Sequence, residues 1–129
     1  MRWILRRVRI RKILGHYTAR DFRANKERAR GLVRERLEYF NQFYKFKFNR
    51  VFIRNQKSRW GSCSSRRNLS FNYKIVFLPP AVADYLIVHE LCHLGQMNHS
   101  PNFWQLVSLQ IPNYKNQLNH SINLTLQQL

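Results

Sequence analysis

One short stretch of the chain, His89-Glu90-Leu91-Cys92-His93, combines two histidines with a glutamate, and a third histidine follows at position 99. On an α-helix, residues four apart lie one turn apart and about 40° apart in azimuth, so the imidazoles of His89 and His93 can reach one ion. Glu90 projects in a neighbouring direction, where its carboxylate would meet a water on the ion rather than the ion itself. The spacing therefore predicts a zinc site that carries its own base.

Three neutral imidazoles leave one position of a tetrahedral zinc ion open, which is typical of catalytic rather than structural zinc sites. A metal-bound water in that position would have a pKa of about 7, so Glu90 could take its proton as general base and pass it to the leaving amine. The ion would meanwhile polarise the scissile carbonyl. This chemistry predicts a zinc-dependent metalloendopeptidase with one zinc ion as cofactor and a protein or peptide as substrate.

His99 is the expected third ligand, because the chain has no acidic residue after this stretch and only His99 and His120 remain as downstream histidines. Gly95 can adopt the left-handed conformation that ends a helix and turns the chain back towards the metal. After this turn, Ser100 is a good helix N-cap and Pro101 a good first helical residue. We therefore expect His99 to lie at a fixed corner between two helices.

The metal-binding stretch is expected to lie on a buried helix from Pro80 to Leu94, started by proline and followed by glycine. Cys92 is expected to pack in the core rather than bind the metal. A much longer helix is predicted earlier in the chain, because Thr18 and Asp21 match the capping-box pattern of a helix start. Apolar residues at helical spacing predict the buried face of this long helix: Phe22, Ala29, Leu32, Val33, Leu37, Phe40 and Phe43.

Alternating apolar and polar residues between Arg50 and Tyr73 predict strands, separated by a turn-rich stretch from Gly61 to Asn68. We expect a small, mostly antiparallel sheet here. The strand around Leu69 to Tyr73 could also form the edge against which a substrate peptide lies extended. Trp60 is expected to fill the core, and Gly61 to allow a close backbone approach.

With 129 residues, the chain fits a single domain over residues 1–129, in which residues 1–20 form a basic N-terminal arm or an edge strand. Its two cysteines do not provide a disulfide framework, which favours a reducing compartment. No apolar run approaches the ~18 residues of a membrane span, and the N-terminus lacks the continuous apolar stretch of a secretory signal. These features predict a cytoplasmic protein without a transmembrane segment.

The net charge of +17 is distributed unevenly along the chain. Residues 1–74 contain 22 of the 23 lysines and arginines but only 4 of the 6 acidic residues. Such a field attracts polyanions such as nucleic acid, whereas the predicted metal site lies in the nearly neutral remainder. The candidate contacts with a phosphate backbone lie on the long helix: Arg23, Lys26, Arg30 and Arg34.

Several short blocks follow one another along the chain: Arg59-Trp60-Gly61-Ser62-Cys63-Ser64, Leu69-Ser70-Phe71-Asn72, Asp84-Tyr85, Val88-His89-Glu90-Leu91-Cys92-His93-Leu94, Asn98-His99-Ser100 and Phe103-Trp104. Over about residues 45–114 the chain resembles the YgjP-like metallopeptidase family, and more distantly the SprT-like, Spartan and WLM proteases, some of which cleave proteins crosslinked to DNA. The resemblance implies an α+β, minimal zincin-like fold, in which a long N-terminal helix and the HExxH helix pack on a small, mostly antiparallel sheet. It also implies zinc on His89, His93 and His99, with Glu90 catalytic.

The sequence leaves the oxyanion-stabilising residue open, with Asn72, Tyr85, Arg59 and His120 as candidates. It also leaves the substrate open, although the basic half would suit an enzyme that acts on nucleic-acid-associated proteins. A different class of function fits the same composition, namely a nucleic-acid-binding module with a structural zinc site and no peptidase activity. Zinc content and cleavage of an unfolded protein, compared between the native chain and Glu90→Gln, would separate the two.

Overall fold

The computed structural model describes residues 17–56 and 59–117. In chain order they form helix α1 (Ala19–Tyr44), strands β1 (Val51–Arg54), β2 (Gly61–Cys63) and β3 (Leu69–Asn72), a 3-10 helix (Tyr73–Phe77), helix α2 (Pro80–Cys92) and helix α3 (Pro101–Gln110). The α+β fold with a long N-terminal helix is confirmed. Residues 1–16 of the expected arm, which spans residues 1–20, lie outside the described residues. None of the described helices is long and apolar enough to span a membrane.

Helix α1 begins with the capping box that its sequence predicts. The Thr18 hydroxyl accepts a hydrogen bond from the Asp21 amide (3.3 Å), and the Asp21 carboxylate accepts one from the Thr18 amide (2.7 Å). These bonds favour the charged carboxylate and hold the pKa of Asp21 below its ordinary value. Phe43, expected on the buried face, is 52% exposed, because it lies about 60° around the helix from Phe40. The buried residues of α1 are Ala29, Val33, Leu37 and Phe40.

The three strands form a mixed sheet in the order β1-β3-β2. β3 pairs antiparallel with β2 but parallel with β1, which differs from the mostly antiparallel sheet expected. β3 takes the central position because all four of its residues are buried, whereas β1 and β2 each retain partly exposed residues. The prediction that residues 69–73 form an edge for a peptide is therefore wrong. Within residues 17–56 and 59–117, the edge strand nearest the His89–His93 stretch is β2, which packs against α2.

Helix α2 carries the metal-binding stretch and is almost entirely enclosed. It begins at Pro80 as predicted, ends at Cys92, two residues earlier than expected, and has ten buried residues out of 13. A bidentate ion pair ties it to α1, because Arg36 Nε donates to Asp84 Oδ1 (2.8 Å) and the second guanidinium nitrogen donates to Oδ2 (3.0 Å). The hydrogen bonds to Asp84 raise the pKa of the Arg36 guanidinium. The prediction that Cys92 is a core residue is confirmed.

The chain leaves α2 by a different route from the left-handed turn predicted at Gly95, whose φ is not positive. Backbone hydrogen bonds from Leu94 N to Leu91 O (3.1 Å) and from Gly95 N to Cys92 O (3.0 Å) tighten the end of the helix instead. Glycine is required here for space, since a Cβ at this position would lie 2.7 Å from Cζ of Phe46.

Helix α3 begins as the sequence predicts. The Ser100 hydroxyl caps it by accepting a hydrogen bond from the Phe103 amide (3.4 Å), and Pro101 is its first residue. His99 therefore stands in the short segment between α2 and α3.

Candidate metal centre

The three predicted histidines come together at the carboxyl end of α2. Their Nε2 atoms lie 3.3 Å apart between His89 and His93, 3.1 Å between His93 and His99, and 3.2 Å between His89 and His99. The first two side chains are buried and the third is half-buried. A tetrahedral ion with bonds of about 2.0–2.1 Å needs ligand nitrogens about 3.3–3.4 Å apart. The triangle of nitrogens thus has the size and the chemistry of a zinc-binding set.

Hydrogen bonds on the far side of two rings fix which nitrogen faces the centre. His93 Nδ1 lies 3.1 Å from the Gln96 carbonyl oxygen, which can only accept, so this nitrogen carries the ring proton. His89 Nδ1 lies 3.2 Å from the Tyr85 hydroxyl, which accepts the ring proton when His89 is in the same tautomer. Both rings then present the lone pair of Nε2 to the common point. These contacts are the orienting partners that metal-binding histidines usually have.

Aromatic rings from α3 form the wall behind the three imidazoles. The Phe103 ring lies 4.4 Å from the His93 ring, where it is stacked, 5.0 Å from that of His99 and 5.1 Å from that of His89. Trp104 stacks on His99 at 5.9 Å. The spacing in the sequence predicts no role at the metal centre for either aromatic residue. The predicted helix start at Ser100 nevertheless places both in the first turn of α3.

Glu90 is buried on α2, with 2% of its surface exposed, and its side chain lies against β2. A Cβ on Gly61 would lie 3.0 Å from Glu90 Cγ, 3.2 Å from Glu90 Oε2 and 3.1 Å from the Ser70 carbonyl oxygen. The close approach predicted for Gly61 is confirmed, and the group that approaches it is the candidate base. The missing side chain of Gly61 gives the carboxylate its space.

Asn72, a candidate for oxyanion stabilisation, is fully buried, and its side-chain amide is fully hydrogen-bonded within the protein. Its Nδ2 donates to the carbonyl oxygens of Gln56 (2.7 Å) and Arg59 (3.0 Å), and its Oδ1 accepts from the Lys74 amide (3.1 Å). Because no donor remains for a substrate, the geometry does not support the oxyanion role. Asn72 instead holds the segment that leads into β2.

Tyr85 and Arg59 also find no support for an oxyanion role in this geometry, whereas His120 stays an untested candidate. Tyr85 is fully buried behind His89, on the side away from the nitrogen that faces the centre. Arg59 is exposed and contributes its backbone carbonyl to Asn72. His120 lies outside the described residues.

The four candidate nucleic-acid contacts lie along one side of α1. Arg23 and Arg34 are exposed, and Lys26 Nζ lies 5.5 Å from the centre of the Phe22 ring. Arg30 is half-buried, with a guanidinium nitrogen 3.7 Å from a Glu27 carboxylate oxygen. The four side chains thus form a cationic stripe, here named the α1 stripe.

Comparison with known proteins gives a family and a fold. A family model described as YgjP-like, metallopeptidase domain, matches residues 17–120. The crystal structure of the metallopeptidase zymogen abylysin from Pyrococcus abyssi is similar with a TM-score of 0.63 and 24% identity, over 74% of this chain and 95% of that one. No curated protein sequence matches the chain significantly.

Proposed function

Because the chain belongs to the YgjP-like metallopeptidase family, we propose that it is a zinc-dependent metalloendopeptidase in which His89, His93 and His99 hold one zinc ion and Glu90 is the general base. The observation that carries the proposal is the triangle of Nε2 atoms with sides of 3.1–3.3 Å. Neutral imidazole nitrogens with lone pairs directed at one point repel one another, and a cation at that point removes the repulsion. Histidine nitrogen in a three-ligand set is the donor that catalytic zinc prefers.

When bound, zinc polarises the scissile carbonyl and lowers the pKa of a water to about 7. The remaining work falls to groups of this chain. Glu90 takes the proton from the attacking water and hands it to the leaving amine. Gly61 leaves free the space beside the carboxylate, since a Cβ there would lie 3.2 Å from Glu90 Oε2. The aromatic wall of Phe103 and Trp104 keeps bulk water away from the back of the imidazoles.

We further propose that the substrate is a protein segment in extended conformation. Among the described strands, β2 lies at an edge of the sheet, and its first residue, Gly61, contacts Glu90. A peptide that pairs with an edge strand presents its backbone carbonyls at regular intervals along that strand. β2 can therefore hold a substrate peptide in register with Glu90. β3 cannot, because it lies in the centre of the sheet.

We propose that the physiological substrates are proteins bound to nucleic acid, and that the protein acts on them in the cytoplasm. The support for the first part is the net charge of +17, concentrated in residues 1–74. The support for the second is that Cys63 and Cys92 are not joined by a disulfide bond, as expected in a reducing compartment.

The test compares the native chain with Glu90→Gln after purification with zinc. We expect one zinc ion per chain in both proteins, and cleavage of unfolded casein by the native chain only. Loss of the general base should lower kcat by at least a hundredfold, because general acid–base catalysis contributes about 10²–10⁴-fold.

Two outcomes would overturn the proposal. Equal cleavage by both proteins would show that Glu90 is not the base. Stoichiometric zinc in both proteins without cleavage by either, with or without added nucleic acid, would favour the alternative of a binding module with structural zinc.

A further inference from the structure

A groove between α1 and β1 combines positive charge with apolar walls. Its volume is about 370 Å³, and its two arginines, Arg30 and Arg34, lie one helical turn apart. Leu37 is buried at its base, whereas Phe48 and Val51 are half-buried and present part of their surface to it. The complete lining is Arg30, Arg34, Leu37, Glu38, Phe48 and Val51.

The groove continues the α1 stripe. At 100° per residue, the four side chains from Arg23 to Arg34 fall within about 80° of the helix circumference. Two carboxylates border this sector, since Glu38 lines the groove and Glu27 lies 3.7 Å from Arg30. Since Arg30 and Arg34 also line the groove, the stripe runs along the side of α1 that faces β1. A chain of negative charges could follow the helix for three turns and enter the groove at its end.

Building on the peptidase function proposed above, we propose that this groove binds single-stranded nucleic acid, with phosphates along the α1 stripe and an unpaired base against Phe48. Guanidinium groups bind phosphate oxygens through paired hydrogen bonds. Bases stack on aromatic rings and on guanidinium planes without regard to sequence. A duplex keeps its bases inside the stack, so it can contact the stripe but cannot fill the groove.

The groove and the metal centre lie at opposite ends of the sheet order β1-β3-β2. Val51 of β1 lines the groove, whereas Gly61 of β2 contacts Glu90. Two strand spacings of about 4.8 Å each, together with the side chains on either edge, separate the two. A nucleic acid strand bound along α1 and β1 therefore leaves β2 and the metal centre uncovered, so the protein can hold nucleic acid and cleave a polypeptide at the same time.

The test measures binding of fluorescently labelled oligo(dT) and oligo(U), and of a duplex of equal length, to the zinc-loaded full chain in 150 mM salt. We expect both single strands to bind more tightly than the duplex. Arg30→Glu/Arg34→Glu should weaken single-strand binding about tenfold or more and reduce the slope of log K against log salt by about 1.4, as loss of two phosphate contacts requires. Phe48→Leu should weaken single-strand binding with no change in that slope.

The matched control is Arg28→Glu/Lys115→Glu, which changes the net charge equally at two exposed residues that do not line the groove. An equal loss of affinity in the control, equal binding of the duplex, or displacement of the oligonucleotide by poly-glutamate at matched charge would overturn the groove as a nucleic-acid site. Casein cleavage by the native chain should persist at saturating oligonucleotide, and competitive inhibition would show that the two sites overlap. A native chain that binds as expected but never cleaves casein would refute the peptidase proposal and leave the groove supported.

Discussion

At the scale of single residues, the centre depends on groups that do not themselves react. Gly61 contributes the absence of a side chain beside Glu90, and Tyr85 contributes a hydroxyl to the far nitrogen of His89. Each can be changed by removing or adding a few atoms. The two contacts therefore allow the position of the base and the orientation of the ligands to be tested separately.

Gly61→Ala should disturb the base without disturbing the ligands. The added Cβ would lie 3.0 Å from Glu90 Cγ and 3.1 Å from the Ser70 carbonyl oxygen, so the carboxylate must move. We expect kcat to fall about 10–100-fold, since a displacement of about 1 Å at a reacting group has effects of this size. Zinc affinity, measured by competition with a chelator, should be nearly unchanged.

The control for this substitution is Gly31→Ala in α1, where a Cβ would meet no atom within 4 Å. It should leave kcat unchanged and stabilise the protein by about 0.5–1 kcal/mol, because alanine favours a helix over glycine. Full activity in Gly61→Ala would show that Glu90 has another way to reach its working position.

Tyr85→Phe should weaken zinc binding while the fold persists. The substitution removes the hydroxyl 3.2 Å from His89 Nδ1 and keeps the buried ring. Loss of an orienting partner of a metal-binding histidine typically costs about 10–100-fold in affinity. Chelator competition on the purified variant measures this loss, and unchanged affinity would show that the aromatic wall alone orients His89.

At the scale of elements, α2 is positioned by contacts with parts of the chain distant in sequence. The Arg36–Asp84 pair connects it to α1, and Gly61 brings β2 against it. The 3-10 helix packs on α1 and adds to these contacts. The positions of the ligands thus follow from the way in which the long helix and the short sheet enclose α2.

Arg36→Met should destabilise the protein by about 2 kcal/mol, because it removes two charge-assisted hydrogen bonds and leaves the Asp84 carboxylate without them. Urea unfolding measures the change. Arg30→Met is the control, since its ion pair with Glu27 spans 3.7 Å and involves a Glu27 side chain that is 80% exposed, so its loss should cost less than about 0.5 kcal/mol. Equal effects of the two substitutions would contradict a special role for the link between α1 and α2.

Lys74→Met, in the 3-10 helix, should stabilise the protein. Lys74 is 4% exposed, and burial lowers the pKa of its ammonium below the ordinary 10.5. At Lys74 the unfolded chain then binds more protons than the folded one between the lowered pKa and 10.5, so this residue makes the native free energy of unfolding rise with pH in that interval relative to that of the variant. We expect the variant to gain about 1 kcal/mol at pH 7 and to lose this rise.

Urea unfolding of both proteins from pH 7 to pH 10.5 tests the prediction. The Nζ atom also lies 5.4 Å from the centre of the Tyr73 ring and 5.9 Å from that of Tyr17. A variant less stable than the native chain would show that these cation–π contacts outweigh the cost of burial.

At the scale of the whole molecule, the candidate metal centre and the cationic α1 stripe lie in different parts of the fold. The candidate ligands come from α2 and from the segment before α3, while the α1 stripe lies beside β1 at the other end of the sheet order. A bound ion would join the end of α2 to the start of α3, because His89 lies on α2 and His93 at its C-cap, whereas His99 directly precedes the N-cap of α3.

Removal of zinc should therefore loosen the molecule at this junction. We expect a chelator to lower Tm, and zinc at about 1,000 times its Kd to restore about 4 kcal/mol of stability. Hydrogen exchange should increase first in residues 95–100, next to His99. An unchanged Tm and exchange pattern would show that the aromatic wall holds the three histidines together without the ion.

Features that depend on neighbours along the chain could be predicted from the spacing of residues. The capping box at Thr18 and Asp21, the start of α3 after Ser100 and the placing of His89 and His93 on one helical face follow from hydrogen bonds and periodicities within a few residues. Helical geometry is local, so its consequences can be predicted from spacing.

Features that depend on distant parts of the chain could not be predicted in this way, because they arise from the packing of the elements. β3 takes the central place because it is buried on both sides. Glycine is favoured at position 95 because the Phe46 ring lies beside it, and Asn72 has its role because it binds the carbonyl groups of distant residues. The contact of Gly61 with Glu90 joins residues 29 positions apart. Such contacts are set by how elements pack, and alternation or turn residues in a short strand do not specify which neighbour it will have.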